Sequence, residues 1–277
     1  MAENKRDMTV LVTGATGRTG SRVARAARAA GLTVRAASRA TGFDWEDAST
    51  WAAVLRGADA AYLAHPTDVG SPAATKAVGE LARAAVELGA RRLVLLSARG
   101  EDLAGPTEEA LRTSGADWTI VRAAWFSQNF SEGPLVEGLR QGELVFPAGE
   151  VREPFIDVRD IADVVVAVLT GGERYTGREL TVTGPRLLSF REAVAEISRA
   201  TGGELVYTPV TARSYGDTLA GSGMPAEEAG FLVGLFESLL DGRNSHLSDG
   251  VRQVLGRAPR DFTDFAREAA AAGAWKA

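Results

Sequence analysis

The stretch Thr9-Val10-Leu11-Val12-Thr13-Gly14-Ala15-Thr16-Gly17-Arg18-Thr19-Gly20 decides how this chain folds. Thr9 to Val12 is a β-branched, apolar run of strand length; Gly14 closes it, and apolar residues then recur at helical spacing from about Thr19 to Ala30. Gly31 ends the helix, because it tolerates positive φ, and a second strand-like run follows from Leu32 to Ser38. The unit reads strand, turn, helix, strand. Its three glycines stand in a GxxGxxG spacing between strand and helix. Backbone without a Cβ can approach a pyrophosphate there, and the helix N-terminus offers N–H groups and a favourable dipole to negative charge. A ligand-free tight turn is the competing reading; the βαβ context outweighs it.

Further strand patterns lie at Ala60 to Ala64, Leu93 to Ser97 and Trp118 to Arg122, separated by helical patterns at Ser49 to Leu55, Pro72 to Leu88 and Thr107 to Ser114. This alternation predicts an α/β fold, a Rossmann doubly wound parallel sheet with a smaller, mainly helical C-terminal lobe. Beyond Arg122, Leu144 to Phe146, Phe155 to Val158 and Leu180 to Thr183 read as short strands, and Asp160 to Leu169 as a helix. Helical patterns then dominate: Ser189 to Thr201, Thr211 to Ala220, Ala226 to Leu240 and Phe262 to Ala272. The expected division is a dinucleotide-binding domain over residues 1–183, with 130–150 contributing to the substrate lobe, and a substrate-binding lobe over 184–277.

Composition narrows the function. The 45% hydrophobic and 24% charged content is that of a soluble globular chain. A net charge of −5 without a basic stripe argues against nucleic acid as a partner. With no cysteine and two histidines, a metal site is not expected. The polar N-terminus MAENKRD lacks the apolar core of a secretory signal, and no stretch is long enough to span a bilayer, so a cytoplasmic location without membrane contact is expected. Oligomeric state is open between monomer and homodimer, since amphipathic C-terminal helices suit either.

The second strand chooses the cofactor. An NAD site places Asp or Glu about twenty residues past the glycines, to bind the adenosine ribose. This chain has Ser38-Arg39, a hydroxyl and a guanidinium that can hold a 2′-phosphate, so NADP(H) is preferred over NAD(H). The expected cofactor contacts are Thr13, Gly14, Thr16, Gly17, Arg18, Thr19 and Gly20 from the turn, Ser38, Arg39 and Asp44 after the second strand, and His65 and Ser97 at later strand ends. Arg18 reads equally as a solvated first-turn residue, and Asp44, in FDWED, equally as a turn residue.

Carbonyl-reducing short-chain dehydrogenases set a tyrosine four residues before a lysine, whose ammonium lowers the phenol pKa. Here the residues four after Tyr62, Tyr175, Tyr207 and Tyr215 are Pro66, Glu179, Thr211 and Leu219. Without YxxxK, an acceptor that is already electrophilic is favoured. His65 and Ser97 are the catalytic candidates; a turn role before Pro66 and a strand-end cap are their plainer readings. Arg99, Trp125, Phe126, Asn129 and Phe130 combine a cation, aromatic walls and an amide, which suits a planar substrate in an apolar pocket, although core packing explains Trp125 as well. His246 carries no assignment.

Taken together, VLVTGATGRTG (10–20), LLSARG (95–100), SGADWTIVRAAWFSQNF (114–130), PFIDVRDIADVVVAVL (154–169), LTVTGPRLLSFREAVAEIS (180–198) and VLGRAPRDFTDFAREAAAAGAW (254–275) resemble the NmrA-like group of atypical short-chain dehydrogenases. The resemblance implies a Rossmann domain, a small C-terminal lobe and a cleft between them. It also implies structural roles for Asp157 and Asp160. The group includes NADPH-dependent quinone reductases, agroclavine dehydrogenases that reduce iminium ions, and redox sensors that bind the dinucleotide without turnover. The expected function is therefore NADPH-dependent hydride transfer to an electrophilic small molecule (a quinone, an imine or iminium ion, or an enone), in secondary metabolism. The alternatives are a non-catalytic NADP(H) sensor and a cofactor-retaining isomerase or cyclase.

Overall fold

A computed structural model of the chain describes residues 8–133 and 135–276; the N-terminal heptapeptide read above for a targeting signal lies outside them. In chain order the elements are β1 (Thr9–Thr13), α1 (Arg18–Ala29), β2 (Thr33–Ala37), α2 (Trp51–Leu55), β3 (Ala60–Leu63), α3 (Pro72–Glu87), β4 (Arg92–Ala98), α4 (Gly105–Arg112), β5 (Asp117–Ala123), α5 (Asn129–Glu132), α6 (Val136–Arg140), β6 (Glu143–Phe146), β7 (Arg152–Glu153), α7 (Val158–Thr170), β8 (Arg178–Val182), β9 (Leu188–Ser189), α8 (Phe190–Thr201), β10 (Val206–Pro209), α9 (Ala212–Gly221), α10 (Ala226–Leu239), α11 (Gly250–Leu255) and α12 (Phe262–Ala271). Two compact units result. The first runs to Ala123 and takes in Val158–Val182 and Asp249–Ala258; the second comprises Ala124–Asp157, Thr183–Ser248 and the chain from Pro259 onward.

The first unit is the expected parallel sheet. Six strands pair in the order β2-β1-β3-β4-β5-β8, every pair parallel. Order reverses between β1 and β3, which is the switch point where such sheets open a crevice at their carboxyl edge. Alternate residues of each strand face opposite ways. Leu11, Ala61, Leu63, Leu93, Leu95 and Ile120 join a core with α2 and α3 residues such as Leu55, Val78 and Leu81. On the other side lie α1 and α7, which pack on each other. Thr19, Gly20, Val23, Ala24 and Ala27 form the buried stripe of α1, at the three- and four-residue spacing its alanine-rich sequence supplies. Arg257 ties the end of α11 to α7 through Asp160 (2.7 Å) and Asp163 (2.6 Å).

The second unit carries α5, α6, α8 to α10 and α12 with two short sheets, β10-β6 parallel and β7-β9 antiparallel. Its core is aromatic: Phe130, Phe146, Phe155, Phe190 and Phe262 are fully buried together. Helix α8 starts at a reciprocal cap, Ser189 Oγ accepting from Glu192 N–H while the Glu192 carboxylate accepts from Ser189 N–H (2.8 Å).

One sequence expectation needs correction. Phe155 to Val158 is not a strand: β7 ends at Glu153, Ile156 makes an isolated bridge to Phe126, and Val158 opens α7. Pro154 has no N–H for a ladder, and the apolar run is explained by burial of Phe155 in the aromatic core. Six of the named elements have no counterpart in the sequence reading: α5, α6, β7, β9, β10 and α11.

Candidate dinucleotide site

The turn between β1 and α1 divides the work among its glycines. Gly14 has φ +60°, a backbone state that side chains strain, and its carbonyl accepts from Gly17 N–H (2.8 Å). Gly20 lies in the first turn of α1 against that peptide; a Cβ there would sit 2.2 Å from Gly14 O and 2.6 Å from Gly14 C. Gly17, exposed and extended at φ −83° and ψ 176°, has only Gly14 O within reach of a Cβ, at 3.2 Å. Gly20 thus lets the helix close on the strand, while Gly17 leaves open space above it. Helix α1 has no side-chain cap and no acid in its first turn, so its N-terminal dipole faces that space without a protein anion.

Thr13 is wholly buried. Its hydroxyl donates to Tyr62 O (3.0 Å) and accepts from Ala64 N–H (2.8 Å), stapling β1 to β3 at the switch point. Thr19 is buried beside the hydroxyl of Tyr62, whose pKa burial pushes up strongly. Thr16 is exposed and Arg18 half-buried at the mouth of the turn. At the end of β2, Ser38 Oγ is buried and has no hydrogen-bond partner, and Arg39 is exposed on the 3₁₀ turn that follows. A hydroxyl in want of a partner beside a solvent-facing guanidinium is a donor set that fits a 2′-phosphate. Asp44 is occupied locally: its carboxylate accepts from Glu46 N–H (3.0 Å) and its carbonyl from Trp51 Nε1 (2.7 Å).

The later strand ends are hydrogen-bonded inward. His65 Nδ1 meets Thr67 Oγ1 (2.9 Å) and its ring stands edge-on to Trp45; burial lowers its pKa, which keeps the imidazole neutral at pH 7. Ser97 is buried and donates to Glu108 Oε1 (2.7 Å). Burial alone would raise the pKa of Glu108, but Arg122 and Ser97 donate to it, Arg112 adds an ion pair (2.9 Å), and together they hold the carboxylate below its ordinary value. Arg99 is buried at 7% exposure, its N–H donating to Ala123 O (3.0 Å).

Within the second unit, Trp125 packs against Phe146, Phe190 and Phe236, and its Nε1 is buried without a partner. Phe126 is half-buried, and Asn129 opens α5 with its N–H on Phe126 O (3.0 Å). Phe130 is fully buried in the aromatic core and presents no surface. Asp157 accepts from Gln128 Nε2 (3.0 Å).

Sequence reasoning missed a pair of acids. Glu101, on the loop after β4, is 8% exposed and hydrogen-bonded to Asp68 of the loop after β3. Burial, and then Asp68, push the Glu101 carboxyl up to about 8. The signal was an acid just past a strand end; its partner stands 33 positions earlier and only the parallel pairing of β3 with β4 brings the two loops together.

A family model described as NAD(P)H-binding matches residues 14–171. The oxidoreductase YesF of Bacillus subtilis, whose own role is uncharacterised, is 32% identical over 95% of both chains. Agroclavine dehydrogenase of Claviceps fusiformis is 28% identical over 93% of this chain and 96% of its own. Among solved structures, the triphenylmethane reductase of Citrobacter sp. complexed with NADP(H) superposes with a TM-score of 0.75 at 19% identity, covering 94% of this chain and 99% of that one. The chain belongs to the NAD(P)H-binding family and is an oxidoreductase using a nicotinamide cofactor.

Proposed function

We propose that this oxidoreductase uses NADPH in preference to NADH and delivers hydride to an electrophilic small molecule of secondary metabolism: a quinone, an iminium ion or an enone. The observation that carries the cofactor half is the donor set after β2, where Ser38 Oγ lacks a partner, Arg39 is exposed and no carboxylate stands in the ribose position. The uncapped start of α1 would hold the pyrophosphate, with Thr16, Gly17 and Arg18 lining its approach. A bound nicotinamide would supply the hydride. The absence of YxxxK supports an acceptor that needs no activating phenol, and the names of the relatives, an agroclavine dehydrogenase and a triphenylmethane reductase, support the reductase reading. His65 and Ser97, fixed by Thr67 and Glu108, act by shaping the sheet edge around the cofactor. Within the first unit the acceptor-facing role goes to Arg99, on the loop after β4.

Fluorescence titration with NADPH and NADH, followed by NADPH oxidation against quinones, cyclic iminium ions and enones, tests both halves. Equal affinities would overturn the cofactor preference. Tight NADPH binding with no turnover across the panel would replace the reductase with a dinucleotide sensor.

A further inference from the structure

The pairing of β10 with β6 leaves one edge of β6 open. Val206, in register with Glu143, donates its N–H to Gly142 O (3.0 Å), and Val210 N–H donates to Phe146 O (3.4 Å). In a parallel ladder the bonded residues of one strand straddle alternate residues of the other. The peptide groups of Gly142, Leu144 and Phe146 therefore face β10, and those of Glu143 and Val145 face the opposite edge. Among the described residues no third strand pairs there. Helix α6 closes the Glu143 end of that edge, where a Cβ on Gly138 would meet Glu143 O at 2.6 Å. Beside it, at Val145, a cavity of about 300 Å³ opens, built wholly from the second unit. Leu135 and Leu144, both buried, give it apolar walls, and Tyr215 of α9 gives it an aromatic one, with its ring edge-on to Phe146 at 5.4 Å. Gln141 and Glu143 complete the lining.

We propose that this cavity binds a small aromatic ammonium ion, its ring between Leu135, Leu144 and Tyr215 and its nitrogen at the Glu143 carboxylate and the Val145 carbonyl. Charge decides the class of ligand. Thr208 Oγ1 donates to Glu143 Oε1 and so fixes the carboxylate, and no ion pair within the described residues neutralises it. No lysine or arginine lines the cavity. Arg140, the basic residue of α6, is turned elsewhere, its Nε donating to Ala274 O (3.0 Å). Gln141 directs its amide nitrogen to Glu137 Oε1 (3.0 Å). Burial raises the pKa of Tyr215, so its phenol stays neutral and its ring can face a cation. An anion would find no partner among these groups, whereas an ammonium finds a carboxylate, a carbonyl and an aromatic face around an apolar floor. A volume of this size lies at the small end of ligand pockets and suits a single ring with a short arm. Nothing in this site depends on which molecule accepts hydride, and the dinucleotide turn belongs to the first unit.

The test titrates the whole chain, labelled with nitrogen-15, with benzylammonium, benzyl alcohol and benzoate at pH 7. Benzylammonium is expected to shift the amide resonances from Gln141 to Val145 saturably, with a Kd of about 1 mM. Benzyl alcohol should bind at least about tenfold more weakly, and benzoate should leave the resonances in place. Glu143→Gln, at an exposed position, keeps an oxygen for Thr208 and loses only the charge, so benzylammonium should fall to the affinity of the alcohol. Tyr215→Leu, which removes the aromatic face, should weaken benzylammonium about two- to fivefold. Equal affinity for ammonium and alcohol, a preference that survives Glu143→Gln, or binding untouched by Tyr215→Leu would overturn the proposal. Saturable shifts confined to residues outside the cavity, or no saturable shift with any probe, would overturn it as well. None of these outcomes bears on NADPH turnover, so the reductase reading stands or falls by its own assay.

Discussion

Alanine at Gly17 and at Gly20 separates a glycine that a ligand needs from one that the fold needs. At Gly20 the new Cβ would lie 2.2 Å from Gly14 O and 2.8 Å from Thr13 O, both backbone atoms at the end of the central strand β1. Neither can rotate away, so α1 must retreat by roughly 1 Å, an overpacking that costs about 1–3 kcal/mol. For a chain of this size that is a fall in Tm of about 3–10 °C. The same retreat carries the α1 amides away from the pyrophosphate, so NADPH affinity should fall by at least tenfold, about 1.4 kcal/mol. At Gly17 the nearest obstacle is Gly14 O at 3.2 Å and the backbone is extended. Alanine is tolerated there, with stability changed by less than about 0.5 kcal/mol. The methyl group nonetheless occupies the space through which a phosphate must reach the N–H groups, and affinity should again fall by about tenfold or more. Thermal unfolding followed by circular dichroism, with fluorescence titration of NADPH on the same samples, reads both effects. A Gly17→Ala protein that binds NADPH as the wild type does would refute the ligand role of this turn; a Gly20→Ala protein with unchanged Tm would refute the packing argument.

Arg39→Ala should weaken NADPH by about tenfold, the worth of one exposed charge-assisted contact, and leave NADH unaffected; parallel titrations decide it, and an equal loss for both dinucleotides would remove Arg39 from the 2′-phosphate. Phe130→Ala should cost about 3–5 kcal/mol in chemical denaturation, because the ring is wholly buried against Phe155, Phe190 and Phe262; a loss below 1 kcal/mol would contradict its core position. Glu101 titrates near 8 when folded and near the ordinary 4.3 when unfolded, so between those values the native state holds a proton that the unfolded state has released. Stability therefore falls as pH rises, by at most about 1.4 kcal/mol per pH unit, and levels off above 8. Denaturation of wild type and Glu101→Gln at pH 6 and pH 8 checks this, and parallel losses in the two proteins would count against it.

The first five strands were legible because each is a short run rich in apolar residues and bounded by turn residues, and the central strands β1 and β3, buried on both faces, need nothing more. Phe155 to Val158 misled for the same reason: an apolar run signals burial, and only Pro154 hinted that the burial was not in a ladder. Strand β10 escaped notice because Val206 is half-exposed and its pairing with β6 is set 63 residues away. In the site, spacing located the glycines but could not tell Gly17 from Gly20, a distinction that depends on where the Gly14 carbonyl points. Ser97 was placed correctly at the end of β4, yet its hydroxyl is directed by Glu108, eleven residues on and one helix away. The Asp68 and Glu101 pair needed two loops juxtaposed by strand pairing, which no local pattern records.

The first unit closes only with segments that come late in the chain. Its edge strand β8 pairs with β5, α7 covers one face of the sheet, and Arg257 binds Asp160 and Asp163 of that helix. On a ribosome adding about 5–20 residues each second, β5 is complete roughly 3–12 s before β8 exists. During that interval the nascent sheet has an unpaired edge and an apolar face without its helix, a state that invites chaperone capture and strand-to-strand association between neighbouring chains. Synonymous codons that slow translation between Ala123 and Val182 would lengthen this exposure, so the soluble yield of this protein should depend on the pace at which that stretch is made.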